Sequence, residues 1–509
     1  SNVLYYGDNL DILKRYIPNH SVDLIYLDPP FNSQADYNIL FKEQSGEQST
    51  AQIQAFSDFW HWDTAARNAY EYLTGNEVDS KVADLAEALY KVLGKNDMSA
   101  YLYMMATRLI ELHRVLKPTG SLYLHCDPRA SHYLKSVLDA IFGFSSFRNE
   151  IVWVRTTGHR DSHKYNQSHD IIFFYTKSDR FTWNPQYIPY DEDYIKTNFR
   201  NVEPKTNRRF MADNLLAAGI RKGESGKPWH GIDPTNTGNH WQYTVQKLDE
   251  LDRQGLIYWP PRGKMPRLKR YLDTLDGKPL TAEWTDIPSV GAHAEERLGY
   301  PTQKPTQLLE RIIKASTNEG DWILDPFCGC GTAITTAEKL RRCWIGIDIT
   351  YLAINLVKHR LQDMFPDVKF KVEGEPRDLG AAMELAKNRY QFQWWALSLI
   401  RARPLGSKPA NPREGKKGAD EGVDGWLRFA DGPEGHIERI VVQVKSGHVG
   451  VKDIRELRDV VTSQKAAMGI FITLEEPASE MIKEVKATDP YVSPTWGHEY
   501  PKIQITTVE

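Results

Sequence analysis

Trp322-Ile323-Leu324-Asp325-Pro326-Phe327-Cys328-Gly329-Cys330-Gly331-Thr332 is a short apolar run that ends on an acid, turns through two glycines and opens a helix expected over 333–340. Glycine tolerates positive φ and lets backbone approach a ligand closely. A strand, a glycine turn and a helix in that order are how open α/β sheets cradle nucleotide-like ligands. A further strand over 343–347 leads to Asp348, about 20 residues on, the usual place for an acid that binds ribose hydroxyls. On its own Asp348 reads equally as a turn or cap residue. Cys328 and Cys330 read as small turn fillers rather than ligands.

Outward from this turn, the pattern stays α/β. Buried-type runs at 22–27, 120–125, 151–155 and 171–175 alternate with helical periodicity over roughly 56–116, 129–142, 306–317 and 350–363. That alternation implies one largely parallel sheet covered by helices. The texture changes between 181 and 295, where tryptophan, proline, glycine and basic residues interleave and no helical period persists. It changes again after 365. We therefore expect a catalytic domain built from 1–180 and 296–365, an inserted recognition segment at 181–295, a linker at 366–384 and a small α/β unit at 385–509.

The first strand ends in a second signature, Asp28-Pro29-Pro30-Phe31. Asp28 and the backbone carbonyl beside Pro29 can each accept one hydrogen of an exocyclic amine, aiming the nitrogen lone pair outward. The prolines fix φ and remove donors, which leaves an acceptor-only edge. Phe31 can stack on an extruded base. A lone Asp-Pro turn would be ordinary; its company with the glycine turn makes it informative. In the same frame Gly329 and Gly331 give room for a cofactor's amino-acid portion, and Asp325 can receive its ammonium.

Composition narrows the partners. The 509 residues carry a formal charge of −3, with 41% hydrophobic and 26% charged residues. That suits two to four soluble domains, since about 100–200 residues make one. Any polyanion partner must be met by local basic surface. No run approaches the ~20 apolar residues of a membrane span, and four unpaired cysteines fit a reducing cytoplasm. The densest basic run is 258–271, where Arg262, Lys264, Arg267, Lys269 and Arg270 sit among aromatics without an acid. It is a candidate phosphate contact, the plain alternative being a solvated loop. Arg208, Arg209, Arg221, Lys222 and His240 are weaker candidates. His159, His163 and His169 lack the companions of a metal site.

The order Asp8, Asp-Pro-Pro-Phe, recognition segment, Gln303-Lys304-Pro305, then Asp-Pro-Phe-x-Gly-x-Gly-Thr resembles the β-class DNA amino-methyltransferases. The resemblance implies a permuted Rossmann-like sheet, S-adenosylmethionine as cofactor and double-stranded DNA as substrate. It implies that Asp8 lies near the cofactor adenine, that 302–305, with Thr302 and Lys304, lines the methionine pocket beside Asp325, Pro326, Phe327, Gly329, Gly331 and Thr332, and that 169–175 walls the base pocket. Asp rather than Ser at the head of the tetrad leans toward adenine N6. Phe rather than Tyr in fourth place departs from the commonest adenine pattern, and cytosine N4 is the alternative.

In the C-terminal unit, Asp424 precedes a strand, and Gln443-Val444-Lys445 lies on the next, which puts Gln443 and Lys445 on one face. This resembles Mrr-type endonucleases of the PD-(D/E)xK superfamily. It implies Asp424 and Gln443 as ligands of Mg2+, and Lys445 as the residue that positions water. The departure is Gln393 where that family has Glu, with Asp420, Glu421 or Glu384 as substitutes. The alternative is a module that binds DNA, or a partner, without cutting. Either way a restriction-modification or defence role is expected, alone, as a homodimer or with a partner subunit.

Overall fold

The computed structural model of the chain describes residues 1–30, 36–38, 54–57, 62–156, 163, 165, 167–261, 265–291, 294, 296–298, 303–404, 422–431 and 436–508. Its centre is a nine-stranded sheet in the order Glu283–Trp284, Phe147–Val154, His169–Thr176, Leu116–Cys126, Val22–Leu27, Trp322–Asp325, Cys343–Asp348, Asn2–Tyr6, Phe370–Glu373. His169–Thr176 runs antiparallel to both neighbours. The other pairings are parallel. This is the α/β, Rossmann-like sheet the sequence led us to expect, with the Asp-Pro-Pro-Phe signature before the glycine turn in the chain.

The two-residue period of the strands divides the core. Ile25, Leu27, Leu122, Leu124, Phe173 and Tyr175 face a cluster with Leu102, Leu109 and Leu112 of helix Asp97–Val115 and Leu134 and Leu138 of helix Pro128–Phe142. Leu24, Tyr26, Tyr123, Ile172 and Phe174 point the other way, to helices Thr306–Ser316, Thr332–Lys339 and Tyr351–Met364. Every residue of Val22–Leu27 is buried, as a parallel strand covered on both faces requires. Each large side chain so buried contributes about 1.5–3 kcal/mol.

Several boundaries differ from the sequence reading. Phe370–Glu373 pairs with Asn2–Tyr6, so the sheet extends into the stretch read as linker. Asn2–Tyr6 is too short and too mixed to announce itself in isolation. Trp284 and Ile287 join the main core, and the separate compact unit is Pro185–Thr281. That unit holds two short helices, Glu192–Asn198 and Val245–Arg253, which the reading did not expect. Two helices, Leu379–Ala386 and Arg389–Leu399, straddle the boundary read at 384/385; the Asn388 side chain accepts from the Tyr390 and Gln391 N–H groups and starts the second.

The C-terminal unit is a five-stranded sheet ordered Arg403–Pro404, Gly425–Ala430, Ile437–Lys445, Met468–Thr473, Ile503–Thr507. Helix Val451–Ser463 covers one face, through Ile454, Leu457 and Val461. Helix Arg389–Leu399 covers the other, and its cluster runs on into Tyr351 and Leu352 of helix Tyr351–Met364 and Tyr6 of the main sheet. Among the described residues no helix is long and apolar enough to cross a membrane.

Candidate active site at the carboxyl edge of the sheet

Four adjacent parallel strands deliver acids to one edge. Val22–Leu27 is followed by Asp28, Trp322–Asp325 ends on Asp325, Cys343–Asp348 ends on Asp348, and Asn2–Tyr6 is followed by Gly7 and Asp8. The antiparallel strand brings its first residues, His169 and Asp170, to the same edge. Open α/β sheets bind ligands there.

The glycine turn is built by hydrogen bonds to its surroundings. Gly329 N–H donates to Asp348 Oδ2 at 2.9 Å, Cys328 N–H to Ile347 O at 3.0 Å and Gly331 N–H to Cys328 O at 2.7 Å. Gly329 and Gly331 have φ of +48° and +74°, which side chains other than glycine rarely adopt. Gly331 sits against the helix Tyr351–Met364, where a Cβ would lie 2.7 Å from Val357 Cγ2. The buried Arg360 of that helix donates to Cys330 O at 2.8 Å. Cys328 and Cys330 are buried, and burial pushes both thiols upward, as filler thiols require. Thr332 is buried beneath the turn, with its Oγ1 beside Cys330 Sγ and Arg360 Nη1.

Asp348 is already engaged. Besides Gly329, its Oδ1 accepts from Thr350 N–H and Oγ1–H at 2.8 Å, and burial raises its pKa. Asp325 is buried, with the Phe327 N–H at 3.1 Å as its hydrogen-bond partner among the described residues. Burial, the most important cause, and then the charges of Asp28 and Asp348 push it well above the carboxylate range, while Lys304 pulls it back. Asp8 caps the helix Asn9–Tyr16 and pairs with Arg108 Nη2 at 2.8 Å. Its neighbour Asn9 donates to Pro326 O at 2.8 Å and accepts from Arg108 Nε. Asn9 thus ties the Asp8 segment to the glycine turn.

Asp28 lies mostly buried at the end of its strand, beside the buried Pro29 and half-buried Pro30, and its Oδ2 accepts from Lys304 Nζ. Phe31 and Thr302 lie outside the described residues, as do Arg262, Lys264, His159, Asp420 and Glu421. Near Asp28 runs a buried chain, Tyr26 Oη to His125 Nδ1 at 3.1 Å and His125 Nε2 to Asp170 Oδ2 at 3.1 Å, closed from the exposed side by Arg155 Nε, 3.0 Å from Asp170 Oδ1. Burial raises Tyr26 well above its ordinary value, and the charges of Asp28, Asp325 and Asp170 add to this. Asp170 is held low despite its burial, by the His125 hydrogen bond together with Lys304 and Arg155.

The sequence reading missed Asn9, Arg108, Arg360 and the Tyr26–His125–Asp170 chain. The available signal was polarity in the wrong place. Arg108 interrupts an apolar helix, and Tyr26 and His125 interrupt buried strands. Such groups need partners.

Residues 22–359, more than half of the chain, match the family described as DNA methylase, N6_N4_Mtase. The chain belongs to that family. The type II methyltransferase M.EcaI of Enterobacter cloacae is 36% identical over 268 residues, 52% of this chain and 57% of its own length. The Mod subunit of the type III restriction-modification enzyme StyLTI of Salmonella typhimurium is 27% identical over 345 residues, 65% of this chain and 49% of its own length. The chain therefore spans about half the length of these curated relatives. Among solved structures the M1.HpyAVI–SAM complex aligns at 15% identity with a TM-score of 0.33, over 70% of this chain and 98% of that one; so loose a superposition carries no weight. Residues 411–509 match a family described as NACHT-associated inactive Restriction Endonuclease 1.

In the unit Pro185–Thr281, Lys269 pairs with Glu203 at 2.9 Å and Arg270 with Asp213 at 2.6 Å. Arg208 pairs with Asp273 at 2.8 Å, and His240 is buried with Nδ1 2.7 Å from Gly219 O. Lys269 and Arg270 thus brace their own sheet, while Arg267 is half-buried on the same strand. In the C-terminal unit Asp424 is engaged on both oxygens, by Gln393 Nε2 at 2.7 Å and by Val444 N–H at 2.6 Å. Gln443 is buried, and its Oε1 has no partner among the described residues. Lys445 Nζ lies 3.9 Å from Asp453. No group of three His, Cys, Asp or Glu among the described residues could hold a metal; Asp420 and Glu421, the acids offered as substitutes beside Asp424, lie outside them.

Proposed function

We propose that the chain is a DNA amino-methyltransferase that uses S-adenosylmethionine to methylate the exocyclic amine of an extruded base, with adenine N6 as the target. The observation that carries this reading is the placement of Asp28 and Asp325 on adjacent strand ends. One is an amine acceptor at the mouth of the sheet, and the other is a fully buried carboxylate beside a glycine turn. The donor set suits the cofactor. Asp325 would receive its ammonium, Gly329 and Gly331 would admit its backbone-like portion, and the edge by Asp348 and Asp8 would lie along its adenosine. When bound, S-adenosylmethionine supplies an electrophilic methyl group on a sulfonium.

The chain's own residues do the rest. Asp28 and the Pro29 carbonyl accept the two amine hydrogens, which withdraws the nitrogen lone pair from the ring. The proton released once the nitrogen has been alkylated passes to Asp28 and then to water. The prolines keep the edge free of donors, and burial of the strand ends keeps competing water away.

The C-terminal unit, on this proposal, does not cleave DNA. A Gln amide occupies the Asp424 carboxylate where a nuclease needs a second acid and a metal, and the match of 411–509 is to a family described as inactive. We infer a role in binding DNA or a partner within a restriction-modification or defence system.

The test is incubation with unmethylated genomic DNA, labelled S-adenosylmethionine and Mg2+, with modified bases identified by mass spectrometry and fragments followed on a gel. N6-methyladenine that disappears in Asp28→Ala, with the DNA intact, is the expected result. Transfer that survives in Asp28→Ala would overturn the site; N4-methylcytosine would overturn the target; fragmentation would overturn the reading of the C-terminal unit.

A further inference from the structure

Lys304 carries a role that its place in the methionine-pocket motif did not suggest. Its Nζ donates to Asp28 Oδ2, and both side chains are largely buried. The loop that presents it is braced on both sides. Leu298 N–H donates to Gln303 Oε1 at 2.8 Å, and Thr306 N–H and Oγ1–H donate to Glu296 Oε2 at 3.1 and 2.6 Å. Thr306 opens a helix whose Leu308, Leu309, Ile312 and Ile313 pack with Leu24 and Tyr26 of the Asp28 strand. The ammonium is therefore delivered to Asp28 by a supported element. It also acts on Asp170 and on Asp325, so one cation faces three carboxylates in a site from which water is largely excluded. An ammonium donates to Asp28 as an exocyclic amine would.

We propose that Lys304 is a positioning residue: its ammonium holds the Asp28 carboxylate aimed until the target amine replaces it as hydrogen-bond donor. This rests on the reading of Asp28 as the amine acceptor. The groups facing Asp28 are Lys304 from the loop, Asp325 from the neighbouring strand and Tyr26 from its own; Asp170, with His125 and Arg155, lies behind them. Removing the cation paired with Asp28 leaves that carboxylate beside Asp325, a situation that favours protonation.

The experiment compares the full chain with Lys304→Met and Lys304→Arg in three readouts: calorimetric S-adenosylmethionine affinity, kcat at saturating cofactor and DNA, and the pH profile of the single-turnover rate. For Lys304→Met we expect cofactor affinity within about threefold of wild type, which also reports an intact fold. We expect kcat to fall about 100-fold, and the acidic limb of the profile to move up. Lys304→Arg should keep the limb in place, and it carries the test if the Met variant does not fold. An unmoved limb in Lys304→Met, or cofactor affinity lost while kcat survives, would assign Lys304 to the cofactor and overturn the proposal. A limb that moves in Lys304→Arg also overturns it. A wild-type chain that transfers no methyl group to any base overturns the functional reading itself, a result distinct from any variant effect.

Discussion

Gly331→Ala should break the glycine turn for two separable reasons. Gly331 sits at φ +74°, ψ 29°, in the left-handed region, which costs an L-residue about 1–2 kcal/mol. The added methyl would also stand 2.7 Å from Val357 Cγ2 and 3.3 Å from its Cβ. Val357 is fully buried and stiff at χ1, so relief must come from the helix Tyr351–Met364, at about 1–3 kcal/mol for overpacking. The sum is about 2–5 kcal/mol. Val357→Ala makes the parts distinguishable. Alone it loses two methyl groups and leaves a cavity, about 1–3 kcal/mol. In its background Gly331→Ala should cost the backbone part alone, a coupling of about 1–3 kcal/mol. Urea titrations of the four proteins, with calorimetric S-adenosylmethionine binding alongside, measure both terms. Equal cost of Gly331→Ala in the two backgrounds refutes the steric half of the argument; a cost within about 0.5 kcal/mol in the wild-type background refutes both halves.

Two further outcomes follow from the charges. Because burial raises Asp325 in the folded chain, its contribution to stability is present at low pH and is lost as pH rises through that raised value. Asp325→Asn should therefore melt higher than the wild type at about pH 8 without cofactor, converge with it toward about pH 4, and lose S-adenosylmethionine binding; a melting difference independent of pH would contradict this. Gln393→Glu replaces the 2.7 Å donor to Asp424 with a like charge. It should destabilise the C-terminal unit by about 1–3 kcal/mol, with millimolar Mg2+ restoring part of the loss; a thermal shift that ignores Mg2+ rules out a vacated ligand position there.

The sheet was readable because its strands are apolar runs that end on acids, and because the glycine turn has few structural alternatives. The acid-bearing strand ends come together because those strands are sequence-distant neighbours in a parallel sheet, something the motifs imply only when taken as a pair. The supports were not readable. Asn9 reaches Pro326 across 317 positions of chain, and Lys304 reaches Asp28 across 276; no local pattern encodes such a meeting. The basic run at 258–271 read as free positive charge because the acids that neutralise Lys269 and Arg270, Glu203 and Asp213, lie more than 50 positions earlier in the chain. Gln393 was the reverse case, since its register against Asp424 followed from one motif and one helix.

The apolar cluster that Tyr6, Tyr351 and Leu352 share with Phe392, Trp394 and Trp395 sets a practical limit on dissection. Tyr351 N–H donates to Gln391 at 2.7 Å and Asn355 to the Trp394 carbonyl at 2.7 Å, so the helix behind the glycine turn has its outer wall in the C-terminal unit. A shortened gene that stops after the last strand of the main sheet would yield a protein with a sticky aromatic wound directly behind its glycine turn. Expression of an isolated catalytic half therefore calls for a cut beyond Leu399 or for polar replacements at Tyr351 and Leu352.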